Sequence, residues 1–282
     1  MDKPNSGQDK SALAGLFSRT SKAHDSVGGL FSHFGALLVE RAGLKPGERV
    51  LDVAAGTGAS LVPAAQRVGP MGRVVGVDLA PGMVDELREV IEVGQIGNAE
   101  ALVADGEELP FADGSFDALL CGFGLFFFPD PQRALAEFRR VLVAGGTIAL
   151  STFTREGSAS MDRIWQRIGD YIAAPPPADD ERRFHEPAQL IDALDRAGFV
   201  EVQVEASPFE VVLPGIDAWL EWLRSMEFGE YLERMDPAKL EYFRSAAAAD
   251  FARQTGELEI RFTMDALLTR GRKSGREHAT RT

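Results

Sequence analysis

Residues 50–60 read VLDVAAGTGAS: an apolar run broken by one acid, Asp52, that leads into a turn of small residues. Val50, Leu51 and Val53 leave no polar face for water, so this is a strand covered on both sides, as in a parallel sheet flanked by helices. The same unit recurs downstream. RVVGVDL (73–79), EALVAD (100–105), FDALLCG (116–122) and GTIALSTF (146–153) are the next four strands. Helices fall between them, from Ser60 to Val68, from about Pro81 to Val93, and over DPQRALAEFRRVL (130–142). The last opens with Asp130 as its cap and Pro131 in its first turn. Alternation of strand and helix predicts a doubly wound, Rossmann-like α/β fold. It also puts the turn after Asp52 at the carboxyl edge of the sheet, where such folds bind ligands.

Working outward, residues 11–48 form a helical N-terminal cap, with Leu30, Phe34, Leu37 and Leu38 at helix spacing before the turn LKPGE. Residues 49–154 are the α/β core. Residues 155–182, with MDRIWQRIGDYIAAPPPADD, are a lid helix ending in a proline brake. Residues 183–271 complete the sheet, first with the helix EPAQLIDALDRAGF, which stops at Gly198. VEVQVEASPFEVVL (200–213) and EIRFTMDALLTRGR (259–272) alternate with period two, as edge strands do, and bring the mostly parallel sheet to seven strands. Between them lies a helical insertion at about 214–254. Residues 1–10 read as a mobile N-terminus and 272–282 as a disordered, basic tail.

Composition narrows the partners. A net charge of −13 with scattered basic residues excludes a nucleic-acid substrate and a membrane-surface role. A single cysteine, Cys121, excludes an internal disulfide and suits a reducing, cytoplasmic location. The N-terminal stretch lacks a signal peptide's apolar core, and no window approaches the ~18 uncharged apolar residues of a membrane span. No histidine or cysteine pair has metal-ligand spacing, so no metal is expected. The partner is a small molecule. The tryptophans of the insertion leave a homodimer or higher homo-oligomer open.

The turn itself is a poor dinucleotide fingerprint. The nearest match, Ala54-x-Gly56-x-x-Ala59, lacks the first glycine, and no Walker-type lysine follows. Two acids separate the alternatives. Asp52 beside the turn would repel a diphosphate, but it suits an ammonium group. Asp78, ending the second strand, can accept hydrogen bonds from both hydroxyls of a ribose. A ligand with an adenosine and a zwitterionic amino-acid tail satisfies both, and S-adenosylmethionine is that ligand.

At these residues the chain resembles the class I S-adenosylmethionine-dependent methyltransferases, in the ubiquinone/menaquinone-biosynthesis-like branch. VLDVAAGTGAS, VVGVDLAPGMVDEL, ADGEELPFADGSFDALL, FGLFFFPDPQRALAEFRRVLVAGG and AGFVEVQVE carry the resemblance, in that order, over roughly residues 12 to 271. It implies that Asp52, Gly56 and Gly58, with Ala54 in the same turn, hold the methionine end, and Asp78 the ribose. Leu79 and Met83 would pack on the adenine faces. Asp105 would accept from the adenine amine while the Gly106 amide addresses the ring, and Cys121 and Phe123 would line the methionine moiety. Ala54 and Ala144 depart from the family's usual glycine and proline.

The implied reaction is in-line methyl transfer in a water-poor pocket, to carbon or oxygen of a small apolar or aromatic metabolite of specialised or quinone-like metabolism. Phe17, Phe126, Trp165, Trp219 and Trp222 are the residues expected against that acceptor. His24, in SRTSKAHDSVG, is the candidate proton acceptor, with His33 second. The alternative keeps the ligand and replaces methylation by a cyclisation or rearrangement.

Overall fold

Asp52 sits in an interior strand, third in order, of a seven-stranded sheet. In the computed structural model, which describes residues 10–21, 29–157, 184–226, 228–255 and 259–275 together with 159 and 169, the strands are β1 (Arg49–Val53), β2 (Arg73–Asp78), β3 (Ala99–Val103), β4 (Phe116–Gly122), β5 (Leu142–Phe153), β6 (Phe199–Ser207), β7 (Glu210–Leu213), β8 (Ile260–Thr263) and β9 (Ala266–Lys273). The sheet order is β3-β2-β1-β4-β5-β9-β6, and β7 pairs only with β8. Strands β1 to β5 are mutually parallel, and β9 runs antiparallel to both β5 and β6. Chain order reverses between β1 and β4, which makes the end of β1 the switch point where doubly wound sheets open a crevice.

The helices are α1 (Lys10–Thr20), α2 (Leu30–Ala42), α3 (Leu61–Val68), α4 (Pro81–Val93), α5 (Pro131–Val141), α6 (Pro187–Arg196), α7 (Ile216–Arg224), α8 (Gly229–Glu233) and α9 (Pro237–Thr255). Alternate strand residues serve two cores. Val50, Val74, Ala118 and Leu120 pack with Phe34 and Leu38 of α2, Leu61 of α3 and Leu87 of α4. Leu51, Val75, Leu119 and Cys121 pack on the other face with Leu135 and Phe138 of α5 and Leu190 of α6. Asp130 caps α5 by accepting the Arg133 amide at 3.0 Å, as its position before Pro131 predicts.

The chain differs from the sequence reading at its edges. Each period-two stretch after residue 199 is two strands, one in the main sheet and one in the β7–β8 pair. Pro208, which has no N–H for a ladder, stands where the first stretch breaks. Met264 and Asp265 break the second, the Met264 amide bonding the Phe209 carbonyl at 2.8 Å. The helical insertion hangs from that small pair. The expected tail starts too early, because Lys273 ends β9 and donates to the Leu142 carbonyl at 2.7 Å. Lys10, assigned to a mobile terminus, opens α1. The lid helix expected over 155–182 lies outside the described residues apart from 155–157, 159 and 169. Among the described residues no helix is long and apolar enough to cross a membrane.

Candidate functional site

The turn after β1 needs left-handed backbone at three places: Ala54 (φ +55°), Gly56 (φ +52°) and Gly58 (φ +99°). Glycine adopts this freely; Ala54 does so at a cost of roughly 1–2 kcal/mol. Hydrogen bonds hold the conformation. Ala55 donates to the Val77 carbonyl at 3.0 Å, and Gly58 to Ala55 at 2.9 Å. Gly56 donates to Asp78 Oδ2 at 3.0 Å, and Ala80 to Asp78 Oδ1 at 2.9 Å. The Ala104 amide bonds the Asp78 carbonyl at 3.0 Å, which brings the end of β3 alongside. The structure thus gathers Asp52, the turn, Asp78 and Asp105 at one edge of the sheet.

Asp52 is 1% exposed, and its Oδ2 has no hydrogen-bond partner. Burial, and then the nearby charge of Asp78, push its carboxyl up to about 8. A buried carboxylate without a partner is costly, and a cationic group is what would complete it. This orphaned oxygen is the structural test of the expected ligand, and an ammonium passes it. Asp78 is half-buried. Burial raises its carboxyl above the ordinary range while the amides of Ala80, Gly56 and Leu79 work against the rise. Each of its oxygens keeps a lone pair for a ligand hydroxyl. Leu79 is half-buried and Met83 fully buried, where α4 begins.

Asp105 already has company. Its Oδ1 accepts the Glu107 amide at 2.9 Å, and its Oδ2 lies 2.6 Å from Lys10 Nζ. Glu107, itself buried, takes the same ammonium at 2.7 Å. Gly106 is buried between them, and a Cβ there would meet the Phe128 ring at 2.6 Å.

Beyond β4 the chain bends at Phe123, whose φ of +52° is an outlier for a bulky residue. Its amide is held by the Ser151 carbonyl at 3.0 Å and by Ser151 Oγ at 3.1 Å. Its ring belongs to a continuous row. Phe17 meets Phe127 (centroids 5.2 Å apart), Phe127 meets Phe126 (4.7 Å), Phe126 meets Phe153 (6.2 Å), and Phe153 stacks on Phe123 (4.4 Å). Phe34 follows at 5.5 Å, then Phe209 at 5.7 Å, and His33 stacks on Phe209 at 4.5 Å. Cys121 is fully buried on the opposite face, where burial raises its thiol well above the usual range.

Trp219 and Trp222 must be corrected. Both are 2% exposed, Trp219 stacked on Phe243 and edge-on to Phe251, Trp222 edge-on to Phe262. They fill the core of the insertion instead of lining a pocket or a subunit contact, packed with Leu220 and Leu223 of α7 and Phe243 of α9. His24 and Trp165 lie outside the described residues. No group of three or more potential metal ligands occurs among the described residues.

Sequence reasoning missed Lys10, Glu107, Ser151, Phe153 and Phe209. Phe153 was within reach, since the last residue of β5 must stand at the carboxyl edge. A shallow depression lined by Gln66, Pro70 and Asn98 opens at the other end of the strands. Asn98 is already bonded there, to the carbonyls of Ala65 and Gly69.

Comparison with known proteins gives the family and the fold. A methyltransferase-domain family matches residues 51–150. The chain is 31% identical over 253 residues to nocamycin O-methyltransferase of Saccharothrix syringae, covering 84% of this chain and 89% of that protein. It is 31% identical over 167 residues to the ubiquinone/menaquinone biosynthesis C-methyltransferase UbiE of Teredinibacter turnerae, covering 57% of this chain and 67% of that one. The YcgJ protein of Bacillus subtilis has the same fold, with a TM-score of 0.60 at 20% identity over 86% of this chain and 99% of its own.

Proposed function

Because the chain belongs to the class I S-adenosylmethionine-dependent methyltransferases, we propose that its crevice serves methylation of a small apolar or aromatic metabolite, at oxygen or carbon. The observation that carries the acceptor class is the half-buried rings of Phe17, Phe127, Phe126, Phe153 and Phe209, joined through the buried Phe123 and Phe34 and ending in the exposed His33. A flat apolar compound gains area and ring contacts along such a row, whereas a polar one would lose its water without replacement.

In this reading Asp52 receives the ammonium of the cofactor, beside Ala54, Gly56 and Gly58, and Asp78 the ribose hydroxyls. Asp105 and the Gly106 amide address the adenine edge, with Leu79 and Met83 on its faces. Phe123 backs the methionine moiety, whereas Cys121, fully buried on the opposite face of the sheet, packs with α5 and α6. When bound, S-adenosylmethionine supplies a methyl group already activated on a sulfonium. The chain's own work is to hold the acceptor and exclude water, and such positioning is worth ~7–11 kcal/mol. Phe123, fixed by Ser151 and stacked on Phe153, supplies a rigid wall for it. Where the acceptor is a hydroxyl, we assign the proton to His24, in the segment between α1 and α2. The split of the relatives between O- and C-methylation leaves both acceptor atoms within the proposal.

The test is incubation with methyl-labelled cofactor and a panel of hydroxylated aromatics and quinone precursors, alongside short peptides and single-stranded RNA. Label on the aromatics alone is expected. Label on peptide or RNA, with none on the aromatics, would overturn the acceptor class.

A further inference from the structure

Helix α1 is fastened at both ends across the adenine side of the crevice. At its start Lys10 Nζ lies 2.6 Å from Asp105 and 2.7 Å from Glu107. Near its end Ser18 Oγ accepts the Gly82 amide from the first turn of α4 at 3.1 Å. The backbones are so close there that a Cβ on Gly82 would meet the Ser18 carbonyl oxygen at 2.6 Å. Between these points Phe17 reaches the ring of Phe127.

The placement of Lys10 is not explained by the helix that carries it. A cation in the first turn opposes the helix dipole, and α1 has no acidic residue there to offset it. The carboxylates supply the reason. Burial works against the ammonium, but Asp105 and Glu107 outweigh it and hold Lys10 above the usual lysine range. Glu107 is only 4% exposed, with Oε1 on the Asp130 amide at 2.8 Å, so its Oε2 has Lys10 as its charged partner.

We propose that Lys10 is a positioning residue that ties α1 over the adenine end of the cofactor, shares Asp105 with the adenine amine, and makes cofactor exchange wait on its release. This rests on the reading of Asp105 given above. Lys10 uses one lone pair of Oδ2, and a carboxylate oxygen has another to offer the amine. The ammonium therefore keeps its pair once the ligand is seated, orienting the carboxylate that receives it. For the ligand to leave, α1 must lift, and both ion pairs must part.

The experiment measures the affinity and dissociation rate of S-adenosylhomocysteine by stopped flow for the wild type, Lys10→Met and Lys10→Arg, with thermal melts of each ligand-free protein. Lys10→Met is expected to release the ligand about tenfold faster, in keeping with hydrogen bonds between charged groups. Lys10→Arg should restore slow release, and added salt should speed release from the wild type more than from Lys10→Met. If Lys10→Met does not fold, Ser18→Ala, which loosens only the far end of α1, should also release faster. Unchanged rates in the variant tested would overturn the role of Lys10 and leave the cofactor site standing. Failure of the wild type to bind S-adenosylhomocysteine would overturn both.

Discussion

Gly56 gives its amide to the carboxylate of Asp78 across 3.0 Å, so the turn after β1 and the end of β2 are one unit. Asp52, on the same face of the sheet as Val50, is enclosed behind that unit with an unpartnered oxygen. The two acids are set for different partners: Asp78 is anchored by amides, and Asp52 lacks a cation.

The isolation of Asp52 has a consequence for stability. Its carboxyl titrates near 8 in the folded chain, against 3.8 ordinarily. Between those values the folded state holds a proton that the unfolded state has released. The contribution is therefore intact below about pH 4 and is lost progressively as pH rises to about 8. Asp52→Asn escapes this loss. Melting of the ligand-free proteins should show the variant gaining on the wild type from pH 5 to pH 8. Parallel curves would contradict the shift.

Helix α2 presses on the turn through Gly35, where a Cβ would stand 2.2 Å from the Ala59 carbonyl oxygen. Gly35→Ala should therefore cost about 1–3 kcal/mol in urea unfolding and weaken S-adenosylhomocysteine binding. Gly97→Ala, where a Cβ meets nothing within 4 Å, is the control and should leave the ligand's affinity unchanged. Equal effects of the two would mean that α2 does not brace the turn.

Phe153 stacks on Phe123 at 4.4 Å and supports its left-handed backbone. Phe153→Ala should raise KM for the acceptor by about fivefold to tenfold, from the loss of a ring pair worth ~1 kcal/mol together with its area. The dissociation constant of S-adenosylhomocysteine should change much less. A larger effect on the cofactor than on the acceptor would reverse the assignment of the row.

Trp222 serves the opposite test. It is buried against Phe262 in the insertion. Trp222→Phe should lower stability by about 1–3 kcal/mol and leave KM for the acceptor unchanged. A rise in KM without a loss of stability would return this residue to the acceptor pocket.

The parts of the site visible in the sequence are those built from local pattern. Asp52 and Asp78 each end an apolar run and precede a turn, and Asp130–Pro131 announces α5, so strand, edge and acid are read together. Lys10 meets Asp105 across 95 residues of chain, and no local periodicity encodes such a pairing. Trp219 and Trp222 show the reverse failure. Large aromatics on an amphipathic helix face something apolar, and only the packing of α9 and β8 shows it to be the insertion's own core. Pro208 did mark the break between β6 and β7, but alternation on both sides of it concealed the change of sheet.

The most direct test is calorimetric titration of S-adenosylhomocysteine into the wild type and Asp52→Asn near pH 7, in buffers of different ionisation enthalpy. If Asp52 receives the ammonium, the wild type binds with net release of a proton. Asp52→Asn then binds about tenfold or more weakly, without that release. Equal affinities with the same proton count would show that Asp52 does not meet the ligand's charge.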